Sequence, residues 1–375
     1  VFLLLLAPGA HAQRKAPDSS TLKGDPIKVG VFADMSGRTS MFGSATARGV
    51  KLAAEEINRA GGIDGRPVKI VVADDQGLPS GAVTSVKELI QDDRVDALIG
   101  EVASSNSLAA APWAQEAQVP MISPSSTNPK VTQVGSYIFR TAFVDPRQGW
   151  AMARFARQTL RAKTAAILGD VNSTYSQGMT KSFSNEFRRR GGRIVALQFY
   201  TQDDVEFQNQ VRALRRSRPD VIYLPGYYPQ AGAIAKEARR LGMQQPILGG
   251  DGWDSPRLFE IAGSALSNTY MSNHYAEDDP SLVVRDFATR YAARYGEPPD
   301  SLAALAYDTM NLLADALRRA RTTESEKLRD AIAQTRNFHG VTGDLTLDTD
   351  RNAIKPVIIL QYRDGKYVYR DRVVP

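Results

Sequence analysis

Short apolar runs alternate with longer amphipathic stretches along most of this chain. Residues 27–33 (IKVGVFA), 67–73 (PVKIVVA), 96–100 (DALIG) and 119–122 (VPMI) each read as a buried strand. Between them the apolar positions fall three and four apart. Val50, Ala53, Ala54 and Ile57 share one face of a helix predicted over 44–60, which Gly61-Gly62 ends. Val83, Val86, Leu89 and Ile90 do the same over 80–92, and an alanine-rich helix is predicted over 108–117. After Asp145-Pro146 the rhythm restarts, with strands at 165–169, 194–200, 221–224, 246–249 and 266–273. Helices are predicted between them at 148–160, 177–190, 204–217 and 230–241. Three more follow at 282–295, 302–321 and 325–335. The tail changes character: a strand at 343–347, a turn at 348–352, then a hairpin of 355–362 and 367–370 across Asp364-Gly365. Strand–loop–helix order in two batches, split near residue 145, predicts doubly wound α/β lobes.

At 375 residues the chain has room for two domains of ordinary size. Hydrophobic residues make up 42% and charged residues 23%, an ordinary globular balance. The net charge of +6 includes basic runs at Arg188-Arg189-Arg190 and Arg215-Arg216. These lie on helices with apolar partners opposite, so they read as solvated faces and not as a nucleic-acid footprint. There is no cysteine, which excludes disulfides, thiolate metal sites and cysteine nucleophiles together. Residues 1–12 (VFLLLLAPGAHA) read as the remnant of a secretory signal ending in Ala-His-Ala, and residues 13–25 as a disordered polar leader.

Enzyme chemistry is poorly supported. Beyond the leader only His274 and His339 remain, in unrelated contexts and without metal-ligand spacing. Asp348, Asp350 and Asn352 open like a calcium loop, but its twelfth position would be Ile359, so the segment reads as a turn. No phosphate-binding glycine motif or nucleophile elbow occurs. No metal or cofactor is expected.

What the strands do carry is polar and aromatic residues just past their carboxyl ends. Two consecutive strands run into hydroxyl clusters: Ser104 to Ser107 after 96–100, and Ser123 to Thr127 after 119–122. In parallel strands of one sheet these clusters would sit side by side, at the edge where α/β sheets bind ligands. The first also opens a helix, whose free N–H groups favour an anion. Phe42 lies beyond the first strand. In the second batch Tyr175, Tyr227 and Asp251 follow strands in the same way. Hydroxyls and a helix start on one side, with rings and a carboxylate on the other, are what a zwitterion needs.

These residues, with the stretches VGVFADMSGRTSMFG, ALIGEVASSNS, PMISPSST, EFQNQVRALRRSRPDVIYLPGY and FHGVTGDLTLD, resemble the periplasmic substrate-binding proteins of branched-chain amino-acid ABC transporters. The similarity runs from Pro26 to Tyr369. It implies two Rossmann-like lobes of the type I periplasmic-binding fold, joined by three crossovers around a ligand cleft. The expected division is 26–145 with 275–350 for the first lobe and 146–274 with 351–375 for the second. The resemblance also implies that Ser104 and Thr127, with the backbone at Ser125 and its neighbour Ser126, hold a ligand carboxylate. Tyr175, Tyr227 and Asp251 would face the ammonium, and Phe42 the side chain. Two departures bear on the ligand: Asp251 is one methylene shorter than the glutamate of leucine-type members, and Phe42 has no polar handle. The function implied is periplasmic capture of an amino acid, branched-chain or related aliphatic, by a monomer that delivers it to an inner-membrane permease and its ATPase. A sensory module for an amide, aromatic acid or other small carboxylate is the alternative.

Overall fold

The computed structural model describes residues 22–374. The signal remnant and the leader as far as residue 21 lie outside the described residues. The leader's described end, at 22–25, runs along the Gly65 turn, where the Lys23 N–H donates to the Gly65 carbonyl.

The first sheet is all parallel, in the order β2-β1-β3-β4-β5: β1 (Ile27–Ala33), β2 (Val68–Asp74), β3 (Ala97–Ile99), β4 (Met121–Ser123) and β5 (Ile138–Arg140). The second sheet contains β6 (Thr164–Asp170), β7 (Arg193–Tyr200), β8 (Val221–Tyr223), β9 (Ile247–Gly249) and β10 (Thr269–Asn273). A small three-stranded sheet follows, β11 (Phe338–Gly340), β12 (Gly343–Leu347) and β13 (Ala353–Ile354). The hairpin β14 (Val357–Arg363) and β15 (Lys366–Val373) then returns to the second sheet, completing the order β15-β14-β10-β9-β8-β6-β7. The hairpin turn puts Asp364 and Gly365 at φ +51° and +87°, the two left-handed positions that Asp-Gly supplies at little cost.

Helices cover both faces of the first sheet, because β1 is apolar on both. Val29 and Val31 pack with Val50, Ala53 and Ile57 of α1 (Ser40–Arg59). On the other face Phe32 packs with Val86 and Leu89 of α2 (Pro79–Gln91), and with Ala110 and Ala114 of α3 (Ser104–Glu116). α4 (Lys130–Gln133) leads into β5, and the second lobe then runs α5 (Asp145–Arg154), α6 (Thr174–Arg189), α7 (Gln208–Arg216), α8 (Tyr228–Arg240) and α9 (Pro256–Ala262) among its strands. α10 (Leu282–Tyr295), α11 (Ser301–Ala320) and α12 (Ser325–Ala333) come back to the first lobe. Met310 and Leu313 of α11 join the core around α1, and Arg294 of α10 pairs with Glu55 at 2.9 Å. α1 and α11 approach so closely that a methyl on Gly49 would lie 2.2 Å from the Ala303 carbonyl oxygen.

The chain crosses between lobes three times. The crossings follow β5 at 141–144, β10 at His274 and β13 at Lys355-Pro356. Each sheet reverses its winding once. β1 and β3 lead to opposite sides in the first, β6 and β8 in the second. Ligand sites of open α/β sheets form at the carboxyl ends of such pairs.

Candidate ligand-binding site

Several helices begin earlier than the apolar periodicity predicts. The starts expected at 44, 108, 177 and 230 fall at Ser40, Ser104, Thr174 and Tyr228. The extra first turns carry the candidate residues. Phe42 and Tyr175 lie in first turns, Ser104 opens α3, and Tyr227 is the residue before α8. A helix turn that faces a cleft has no apolar stripe, so periodicity does not register it.

The two hydroxyl clusters do lie side by side. Ser107 Oγ and Ser126 Oγ are 2.8 Å apart. The Glu101 carbonyl, just past β3, accepts from the Ser107, Ser123 and Ser126 hydroxyls at 3.1, 2.8 and 2.8 Å. Ser126 also lies within hydrogen-bond reach of the Val102 carbonyl at 3.0 Å, so its hydroxyl is committed inside the protein. Ser104 Oγ accepts from the Asn128 N–H at 3.2 Å, which leaves its own proton free to donate. Ser125 Oγ and Thr127 Oγ1 are buried without a hydrogen-bond partner among the described residues. Fully buried Arg140 holds this loop by donating to the Ser126 and Asn128 carbonyls, both at 2.6 Å.

The second lobe's candidates form one bonded group. Tyr175 Oη donates to Asp251 Oδ1 at 2.8 Å and accepts from the Gly252 N–H at 3.2 Å. The Tyr175 and Tyr227 rings stack with centroids 5.2 Å apart. Phe42 reaches across from the first lobe to meet Tyr227 edge-on at 5.9 Å. Asp251 opens a short 3₁₀ turn after β9, where Gly250 is needed for space. A methyl there would lie 2.4 Å from Tyr175 Oη and 2.8 Å from the Met179 methyl. All eight candidates are buried, the most exposed being Tyr227 at 9%.

Two further residues adjoin these candidates, and the sequence reading did not single them out as such. In the sequence His274 is weighed only as a metal ligand or as the base of a nucleophile, yet its Nε2 lies 3.0 Å from Asp251 Oδ2. Asp145 read as a break before Pro146; it is the first residue of α5, is fully buried, and neither carboxylate oxygen has a partner among the described residues. Burial pushes its pKa up to about 8, against the Thr127 hydroxyl and Arg140 and with the help of Asp251. An acid immediately before proline at a helix start was the available signal. His339, by contrast, is exposed and meets Asp344 at 2.7 Å on the small sheet. The Asp348 carboxylate is used in its own turn, accepting from the backbone of Asp350 and Asn352. Among the described residues no three His, Cys, Asp or Glu are grouped to hold a metal ion.

The lobes touch along the cleft edge. Asn128 Nδ2 donates to the Thr174 carbonyl at 2.8 Å, and Ser105 Oγ lies 3.1 Å from Thr174 Oγ1. Arg38 pairs with Asp203 at 2.8 Å. A crevice of about 570 Å³ beside Arg38, Ser105 and Tyr227 opens to the surface there.

The sequence profile of the periplasmic binding protein family matches residues 26–366. The chain belongs to that family. Among curated family members it is 26% identical over 332 residues to the leucine-, isoleucine-, valine-, threonine- and alanine-binding protein of Pseudomonas aeruginosa, covering 88% of each chain. The crystal structure of the leucine-binding protein LivK of Thermotoga maritima superposes with a TM-score of 0.89 at 37% identity, covering 93% of this chain and 99% of that one. That of LivJ of Streptococcus pneumoniae, the substrate-binding protein of a branched-chain amino-acid transporter, in complex with isoleucine, gives 0.87 at 33% with the same coverage. As in other periplasmic binding proteins, the lobes are type I α/β units with a cleft between them. This is a solute-binding class, and no described helix is long and apolar enough to cross a membrane.

Proposed function

We propose that this protein captures a small α-amino acid, with a branched-chain or related aliphatic side chain, and delivers it to an ABC permease and its ATPase. One observation carries the reading: the first lobe holds buried hydroxyls at 125 and 127 without partners among the described residues, and the second lobe holds a buried carboxylate at 251. A zwitterion satisfies both at once, since a buried polar group needs a partner and a buried charge needs an opposite one. Ser104, Thr127 and the backbone at Ser125 and Ser126 hold the carboxylate, aided by the free N–H groups opening α3. Asp251 takes the ammonium, with Asp145 nearby and the Tyr175 and Tyr227 rings against it. Phe42 borders the side chain.

Several further assignments belong to this reading. The chain is a monomer exported to the periplasm by the segment at 1–12, and it performs no catalysis. Its lobes comprise 26–145 with 275–350 and 146–274 with 351–375, and a ligand touching both favours their closure. The sheet memberships support the lobe division, and the reported relatives support the solute-binding role. Scanning fluorimetry against amino acids, amides and aromatic acids tests the function, because a ligand bound only to the native fold raises Tm. Leucine, isoleucine or valine should give the largest rise. A rise with benzoate and none with any amino acid would overturn the proposal.

A further inference from the structure

His274 stands where the Asp251 carboxylate meets the crossings between the lobes. It directly follows β10 and its side chain is fully buried. Its ring stacks on Phe143 of the first crossing, with centroids 3.6 Å apart and planes 19° off parallel. Its Nε2 is 3.0 Å from Asp251 Oδ2, while Tyr175 takes the other carboxylate oxygen. Its backbone N–H donates to Asn273 Oδ1, whose amide in turn donates to Asp254 at 2.9 Å.

We propose that His274 is a positioning residue, which donates from Nε2 to fix the Asp251 carboxylate and ties that carboxylate to the interlobe crossings. The inference rests on Asp251 being the ammonium's partner. A carboxylate with one donor on each oxygen has a fixed plane, so it meets an ammonium without first being ordered. The charges facing His274 are Asp251 and Asp254 from the segment after β9, and Lys355 from the third crossing; Phe143 faces it from the first without charge. Burial lowers the imidazole pKa, Lys355 adds to that, and Asp251 and Asp254 oppose it. The ring is therefore neutral near pH 7, and a neutral ring that gives its one proton to Asp251 leaves Nδ1 as a bare acceptor. Nδ1 indeed has no partner among the described residues. Any shift of the crossings that moves the Phe143–His274 stack moves the Asp251 carboxylate with it. Ligand binding and lobe movement then bias one another.

The test uses the full chain titrated by calorimetry with leucine and with 4-methyl-2-oxopentanoate, which lacks the amine. His274→Phe keeps the flat ring against Phe143 and removes the donor. It should weaken leucine at least about tenfold and leave the keto acid unchanged. His274→Gln, whose amide can still donate, should keep most of the affinity. Wild-type affinity in His274→Phe, or an equal loss for both ligands, overturns the proposal. Nitrogen-15 histidine spectra give an arm that needs neither ligand nor variant. A neutral Nε2-protonated tautomer at pH 7.5 is expected, and a charged or Nδ1-protonated ring overturns it. Should the wild type bind no amino acid, the proposed function fails, and the tautomer still decides the role of His274.

Discussion

On the first lobe's wall of the cleft, Ser125 Oγ and Thr127 Oγ1 are buried and bond to nothing among the described residues. On the second lobe's wall, Asp251 has a donor on each oxygen and lies among stacked rings. The first wall is an unfinished hydrogen-bond network on a rigid base, since Arg140 and the Glu101 carbonyl anchor its loops from behind. The second is already complete. A network that only a ligand finishes gives up that gain when the ligand leaves, whereas a completed carboxylate gives orientation in advance. The walls should therefore respond differently to substitution.

The largest expected effect comes from removing the charge of the completed wall. Asp251→Asn should weaken leucine by roughly a hundredfold or more, since breaking a buried charge pair costs about 3–5 kcal/mol. The keto acid should bind the variant as well as or better than the wild type. Calorimetry on both ligands reads this, and an unchanged Kd for leucine would mean that Asp251 does not meet the ammonium.

On the unfinished wall, Thr127→Ala should cost a carboxylate ligand about 1.5–3 kcal/mol, the range for hydrogen bonds to charged groups. Leucinamide should lose much less. Equal losses for leucine and leucinamide would show that the hydroxyl only packs.

Asp145 sharpens the contrast because it is a buried acid whose oxygens have no hydrogen-bond partner among the described residues, the nearby Thr127 hydroxyl offsetting its burial only in part. Its folded pKa, about 8, is above the ordinary carboxylate value of 3.8, so the native state holds a proton that the unfolded chain has released. The sign follows: this group costs nothing below about pH 4 and takes away stability increasingly as pH rises from about 4 to about 8. Asp145→Asn should raise the melting temperature of the ligand-free protein by a few degrees at pH 8, reflecting about 1–3 kcal/mol. The gain should shrink at pH 5. A gain independent of pH would point to packing instead of charge.

The smallest effect belongs to the rim. Arg38 and Asp203 are 59% and 88% exposed, so Arg38→Ala should change leucine affinity by less than about 1 kcal/mol, and that change should fade in high salt. A tenfold loss at 0.5 M salt would make Arg38 part of the site.

Much of this arrangement was legible in the residues. The two hydroxyl clusters were placed side by side by strand order alone, and they share the Glu101 carbonyl. Asp251 stood out by its place just past a strand, and the Gly250 before it is hemmed in by Tyr175 and Met179. What escaped has a common cause. Ser126 reads like Ser125, and only the fold turns its hydroxyl inward to Glu101 and Val102. No local pattern marks Arg140, which is fully buried under the loop it holds. The first turns of α1, α3 and α6 carried no apolar stripe because they face the cleft.

The sequence by itself determined the succession of elements, the two lobes and the chemistry gathered at their facing edges. Those follow from periods of two and 3.6 and from the residues at strand ends, which are local properties. Which acceptor each donor reaches was decided only by the tertiary structure. Tyr175 finds Asp251 across 76 positions, and Ser272 donates to Gln148 across 124. Such pairings depend on where three crossings bring two separately wound sheets together, and no local pattern carries that distance.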